Sequence, residues 1–251
     1  MDEGVNGVDE LSREIRKVIS ENKKFLDRIM DEEFEPDEEA GKAANKKGLQ
    51  KLLGLAQDPD VPLVGMVSRM IDQKGFDLIG ELLPDFAAGD LQLAVIGSGE
   101  EKYARMFNDI CAGGAANIAF HEGFEPSLAR KVYAGSDIFL MPSHFEPCGL
   151  GQLIALRYGS VPVVRKTGGL SDTVVDERLN GKEQTGFVFA EYTAAALLET
   201  LLRALKAYGD RESWKKIMRC GMTRDFSWKH SALRYEELYR RAVQKKGMRN
   251  G

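Results

Sequence analysis

The chain has 251 residues, 43% of them hydrophobic and 29% charged, with a formal net charge of −4 at pH 7. This is globular composition with enough length to bury one large core, and no basic run marks a nucleic-acid footprint. No secretory leader opens the sequence and no apolar run approaches the ~20 residues of a membrane span, so a soluble protein is expected.

Cys111, Cys148 and Cys220 are odd in number and widely spaced. Without a Cys-x-x-Cys pair they point to neither a disulfide framework nor a zinc site, and they fit a reducing compartment. In chain order, residues 1–40 differ from the rest. Leu11, Ile15, Val18, Ile19, Phe25, Leu26 and Ile29 recur at helical spacing and predict one amphipathic helix over residues 10–30. The acidic run from Asp31 to Glu39 around Pro36 reads as a solvated linker. Lys42 to Leu55 is a second helical pattern, closed by Gly54.

From Val61 onward, short apolar runs alternate with amphipathic stretches. Strands are expected at Leu63–Val67, Leu91–Ile96, Ile118–Phe120, Ile138–Met141, Val161–Val164 and Gly186–Phe189. Helices fill 75–88, 99–112, 126–135, 149–159 and 193–207. Such strands, separated by crossover helices, predict an α/β fold with a doubly wound, Rossmann-like parallel sheet covered on both faces. After Asp210, two further helices carry Trp214, Trp228, Tyr235 and Tyr239. These rings are expected to pack against the sheet rather than touch ligand. The domain division is therefore 1–40, a helical and acidic junction segment, and 41–251, the Rossmann-like domain with its terminal helices.

In such folds ligands bind outside the carboxyl ends of the strands, so the residues after each strand matter most. The first strand leads into Ser68-Arg69-Met70-Ile71-Asp72-Gln73-Lys74-Gly75. Arg69 can grip two phosphate oxygens with its planar fork and Lys74 adds a point charge, although each is also an ordinary surface cation. The second strand ends in Gly97-Ser98-Gly99, but the third glycine of a dinucleotide fingerprint is replaced by Lys102, which sets NAD aside. After the third strand Phe124 is either a platform for a nucleobase or a core residue.

The fourth strand runs into Ser143-His144-Phe145-Glu146-Pro147-Cys148-Gly149-Leu150-Gly151-Gln152. Here Glu146 offers an acceptor for hydroxyls, and the amides of Cys148, Gly149 and Leu150 face a phosphate; the bland alternative is a solvated surface Glu. Cys148 reads as a small buried residue rather than a nucleophile. His144 reads as a neutral loop residue, and with His121 and His230 it makes no metal-ligand spacing. After the fifth strand, Arg165-Lys166-Thr167-Gly168-Gly169 opens another helix whose start favours an anion.

Together these stretches resemble one family, the bacterial glycogen synthases and plant starch synthases, retaining glucosyltransferases of family 5 with the two-domain GT-B fold. The matching motifs are Gly41-Lys42-Ala43-Ala44-Asn45-Lys46, Ser68-Arg69 through Lys74-Gly75, Phe145-Glu146-Pro147-Cys148-Gly149-Leu150, Arg157-Tyr158-Gly159, Arg165 through Leu170, and Asp172-Thr173-Val174. They span roughly residues 41–245, the second domain of that fold, with Asn6-Gly7-Val8-Asp9 as a candidate domain junction. The resemblance implies that Arg69 and Lys74 hold the phosphates of ADP-glucose or UDP-glucose and that Phe124 stacks on the base. Glu146 and the Cys148-Gly149-Leu150 turn would meet the donor glucose, with Thr167, Gly168 and Gly169 lining the phosphate side. It implies no metal ion and no cofactor, an α-glucan acceptor, and a cytoplasmic or plastid-stroma location.

Departures qualify that picture. The family's first domain, which carries its Lys-x-Gly-Gly loop, a catalytic His and the acceptor face, has no counterpart in this sequence. That half positions the acceptor and excludes water, so this half is expected to transfer glucose weakly or not at all without its N-terminal partner domain. Gly151 stands where the family usually has Thr, and residues 10–40 do not match its junction segment. Ile154 occupies the position where related glycosyltransferases place a second Glu, which favours the synthase reading over an EX7E-type enzyme. The alternative function is a non-catalytic nucleotide-sugar or glucan-binding module acting with a partner protein. Neither nucleic acid nor membrane is an expected partner.

Overall fold

Six runs rich in Val, Ile, Leu and Phe become strands of one sheet: β1 (Leu63–Val67), β2 (Gln92–Gly97), β3 (Ile118–Glu122), β4 (Ile138–Met141), β5 (Val161–Arg165) and β6 (Phe187–Phe189). The structure, a computed structural model, describes residues 39–177 and 183–247. The helix expected over 10–30, most of the acidic run and the Asn6–Asp9 motif therefore lie outside the described residues. All strand pairs are parallel and the order is β3-β2-β1-β4-β5-β6, the doubly wound order of a Rossmann fold.

Alternation along the strands feeds two cores. Val64, Met66, Leu93, Val95, Ile138 and Leu140 face one cluster with Phe76, Phe86 and Phe107, while Leu63, Ala94, Ile96 and Phe139 face the other with Leu49 and Val132. A side-chain period of two puts alternate residues on opposite faces, and helices cover both. Each fully buried Leu, Ile or Phe contributes roughly 1.5–3 kcal/mol relative to exposure.

The helices are α1 (Glu39–Leu52), α2 (Phe76–Ala88), α3 (Glu101–Ala112), α4 (Pro126–Gly135), α5 (Gly151–Arg157), α6 (Gly168–Thr173), α7 (Ala194–Gly209), α8 (Arg211–Met222) and α9 (Trp228–Gly247), with a 3-10 turn at Asp72–Lys74. Two are shorter than their sequence pattern. Residues 98–100 run beside the β1 loop through a Met70–Gly99 bridge, so α3 starts late. Residues 149–150 form a turn and not the first helical turn, so α5 is only 7 residues long.

Residues Phe34–Arg224 form one compact unit, and α9 belongs to another. Within the first unit Trp214 packs as expected, 5% exposed, with its ring 5.3 Å from Tyr208 and 6.4 Å from Phe187. Tyr235 and Tyr239 belong to the other unit, where they are 48% and 37% exposed and stack on each other at 6.4 Å. In the sequence of their helix Tyr235 and Tyr239 share one stripe with Ala232, Ala242 and Val243, flanked by the Glu236–Arg240 and Glu237–Arg241 pairs, and phenol rings tolerate a wet surface. The side chain of Trp228 lies outside the described residues. Among the described residues, no helix is long and apolar enough to cross a membrane.

At the amino edge of the sheet, Asp137 accepts the Leu63 N–H at 2.8 Å and pairs with Lys46 at 2.8 Å. Lys46 also donates to the Pro59 and Val61 carbonyls at 3.0 and 2.6 Å and to the Tyr208 hydroxyl at 2.9 Å. Lys42 donates to the Tyr158 carbonyl at 3.1 Å and to Ser160 Oγ at 2.8 Å. The Gly41–Lys46 motif thus fastens α1 to the sheet, on the edge opposite the loops that follow the strands.

Candidate functional site

The central strands part at the carboxyl edge. Pairing of β1 with β4 ends at Gly65–Phe139, whereas β1–β2 runs on to Val67–Ile96 and β4–β5 to Met141–Val164. A crevice opens where the strand order reverses, the position at which open α/β sheets bind ligands. Its walls are the β1 loop and the β4 loop, laced together by the His144 N–H on the Gln73 carbonyl at 2.9 Å and by Gln73 Nε2 on the Phe145 carbonyl at 3.1 Å.

Within it Lys74 Nζ forms a close ion pair with Glu146 Oε2, which also accepts from Ser143 Oγ at 3.2 Å. The Lys74 and Glu146 side chains are 17% and 9% exposed. The solvated-Glu reading is therefore set aside, because a carboxylate so enclosed needs the cation beside it. An ammonium has three protons, so engagement with Glu146 leaves Lys74 donors for a ligand.

The fifth-strand loop closes on the same point. Gly168 has φ +44°, and a Cβ there would lie 1.9 Å from the Glu146 carbonyl oxygen, so only glycine lets the two loops touch. The Gly169 N–H donates to that carbonyl at 3.3 Å, and Gly169 lies directly against the Cys148 carbonyl. Lys74, Glu146, Cys148, Gly149, Leu150, Thr167, Gly168 and Gly169 are thus one cluster.

Arg69 and Phe124 stand on neighbouring loops of the same edge, both exposed, Phe124 by 68%. The core reading of Phe124 is thereby set aside. Among the described residues Arg69 makes no side-chain hydrogen bond or ion pair, which leaves its fork available. Cys148 is exposed, contrary to the burial expected. Gln152 draws its carbonyl, not its side chain, toward the interior. Because α5 and α6 have 7 and 6 residues, the expected helix-end attraction for anions reduces to free turn amides.

A second network braces this edge. Asp72 bonds Lys102 at 2.7 Å and accepts a short hydrogen bond from the Tyr103 hydroxyl. Lys102, then Tyr103, hold the Asp72 carboxyl below its usual range, while burial, then Asp72, pushes the Tyr103 hydroxyl up to about 12. Tyr192 stacks on His144 at 4.5 Å, lies 5.3 Å from the Arg165 guanidinium and donates to Asp77 at 2.5 Å. Burial, then Asp77, raises its pKa. His144 is thus a ring-stacked, exposed loop residue. Tyr192 escaped the sequence reading, which stopped at the fifth strand; the same rule of reading each strand's carboxyl end, applied to β6, would have reached it. Among the described residues, no group of three His, Cys, Asp or Glu side chains is arranged to hold a metal ion.

A doubly wound parallel sheet with paired charges and glycine turns at its switch point defines a nucleotide-binding type of domain. The family model described as "Glycosyl transferases group 1" matches residues 54–219, and the chain belongs to that family. It is 61% identical over 208 residues to the glycogen synthase of Geotalea uraniireducens, a match covering 83% of this chain and 43% of that protein. The glycogen synthase of Geotalea daltonii is 59% identical over 221 residues, 88% of this chain and 46% of that one. Among solved structures, the catalytic domain of starch synthase IV from Arabidopsis thaliana, bound to ADP and acarbose, superposes with a TM-score of 0.78 at 37% identity, covering 87% of this chain and 46% of that chain. The resemblance carried by the motifs therefore holds, and the sheet matches domains of GT-B glycosyltransferases. The chain spans less than half the length of these relatives.

Proposed function

We propose that this chain is the donor-binding half of an α-1,4-glucan synthase of the glycogen and starch synthase type. The whole enzyme would transfer glucose from ADP-glucose or UDP-glucose to the non-reducing end of a glucan with retention. The observation that carries this reading is the meeting of Lys74, Glu146 and the Gly168–Gly169 turn at the sheet's switch point. Likeness to glycogen synthases and to an ADP-bound starch synthase supports it.

In this mechanism the anomeric C–O bond to the donor's terminal phosphate breaks, and negative charge grows on the departing diphosphate. Arg69 and Lys74 stabilise that charge in a partly enclosed crevice, where it counts for more than in water. The Gly149 and Leu150 amides and the Thr167–Gly169 segment sit on the phosphate side, Glu146 and Cys148 face the donor glucose, and Phe124 stacks on the base. The acceptor glucan is positioned by the N-terminal half, without which water enters and the barrier rises. The natural setting is a bacterial cytoplasm or a plastid stroma.

Calorimetry tests the reading. The chain should bind ADP, with UDP as the comparison that assigns the base, and Arg69→Ala should weaken binding about tenfold or more. Unchanged heats for Arg69→Ala would remove that residue's role. Incubation with ADP-glucose and a maltooligosaccharide should give elongation only when the other half is supplied. Elongation by the chain alone would overturn the need for it, and nucleotide binding with no elongation even then would favour the non-catalytic module.

A further inference from the structure

Beneath the Cys148–Gly149–Leu150 turn lies a glutamine that the chemistry above does not use. Gln152 is fully buried, at 0% exposure. Its Nε2 donates to the Cys148 carbonyl at 3.1 Å and the Gly149 carbonyl at 2.9 Å, and lies 3.2 Å from Thr173 Oγ1. Thr173 Oγ1 in turn donates to the Gly169 carbonyl at 2.6 Å. The amide's two protons are shared among three acceptors, so the contact with Thr173, the longest of them, is a weak tie between the β4 turn and α6. Gln152 Oε1 is buried and has no hydrogen-bond partner among the described residues. A buried amide that leaves its acceptor unused costs stability, which only the bonds of its donor end can offset.

Peptide geometry states what that is. In a trans peptide the N–H points opposite the carbonyl of the preceding residue. With the Cys148 and Gly149 carbonyls both drawn onto Gln152 Nε2, the N–H groups of Gly149 and Leu150 are turned the other way, out of the protein. Neither has an acceptor among the described residues. Gly149 permits the arrangement: its φ is +71°, and a Cβ there would lie 2.5 Å from Gln152 Oε1.

We infer that Gln152 is a positioning residue that locks this turn so that the Gly149 and Leu150 N–H groups face the nucleotide's terminal phosphate. The inference rests on the donor-site reading above, and its test separates the two. Gln152→Glu keeps the shape but sets a charge against two carbonyl oxygens and has no proton to donate. Gln152→Met keeps the length and removes only the polar end.

The experiment uses the full chain, comparing amide NMR spectra without ligand and then titrating ADP and adenosine. In both variants the unliganded Gly149 and Leu150 amide resonances should shift while most of the spectrum stays in place. ADP affinity should fall about tenfold or more. Adenosine, which has no phosphate, should bind as it does to the wild type. Variants that bind ADP within twofold of wild type, or that lose adenosine together with ADP, overturn the positioning role. A wild-type chain that binds no ADP overturns the donor reading, and the unliganded spectra then judge the turn by themselves. Should Gln152→Glu fail to fold, Gln152→Met and Thr173→Val decide the matter. Thr173→Val removes the contact with Gln152 and the hydrogen bond to the Gly169 carbonyl but leaves both Gln152–carbonyl bonds in place, and a smaller loss, about two- to threefold, is expected because only neutral hydrogen bonds behind the turn are removed.

Discussion

At the amino edge of the sheet Lys46 meets Asp137, and at the carboxyl edge Lys74 meets Glu146. Both are enclosed lysine–carboxylate pairs carried by motifs that resemble the same family. Lys46 has acceptors in Asp137, two backbone carbonyls and Tyr208, more than its three protons can serve. Lys74 has Glu146, with donors to spare and a crevice beside it. The difference teaches that a gathering of charges is not in itself a binding site. Unspent donor capacity beside an opening is what separates recognition from scaffolding.

The largest expected effect breaks the scaffold side of that contrast. Lys46→Met leaves the Asp137 carboxylate buried against the β1 amide with its cation gone, and should cost about 3–5 kcal/mol of stability. Urea unfolding measures it, and ADP binding by the fraction still folded should be unchanged. A variant that stays stable but loses ADP would erase the distinction between the edges.

Next is the recognition side. Lys74→Met should weaken ADP binding about 10- to 100-fold, the scale of charge-assisted hydrogen bonds to a diphosphate. Its stability should fall as well, because Glu146 is as enclosed as Asp137 and keeps only the Ser143 hydroxyl as a partner. Equal losses of stability at both lysines, with ADP affinity intact, would mean that Lys74 is scaffold too.

Much of this was legible in the sequence. Buried parallel strands announce themselves as near-continuous apolar runs, and all six were located within a residue or two. Arg69, Lys74, Glu146 and Gly168 could be placed at one edge because that edge collects whatever follows each strand. Direction was not legible. The text of Gly41–Lys46 carries no sign that its lysines point into the amino edge, and Cys148 was misjudged because side-chain size does not say which way a turn faces. The brace of Tyr192 on His144 and Asp77 joins residues far apart in sequence, and Gln152 reads as an ordinary helix residue until its nitrogen is seen under two carbonyls.

The smallest effect concerns Lys42 and sharpens the comparison through pH. Burial lowers its pKa to about 7, opposed by the attraction of Asp137 and reinforced by Lys46. In the unfolded chain the same group holds its proton to about 10.4. Between these values the unfolded state binds more protons than the folded one, so stability from this group rises with pH. The rise starts near pH 7, where the folded amine begins to lose its charge, and ends where the unfolded lysine titrates. Within that window one proton gives a slope of at most about 1.4 kcal/mol per pH unit, and solvent reaching the side chain narrows the window. Urea midpoints for the wild type should therefore climb between pH 7 and 9 more steeply than those of Lys42→Met, while ADP affinity, governed at the opposite edge, should show no difference between the two proteins. A Lys42→Met chain with the wild-type slope would mean that the amine is charged in the folded state, and that the amino edge keeps cationic capacity which the scaffold assignment denies it.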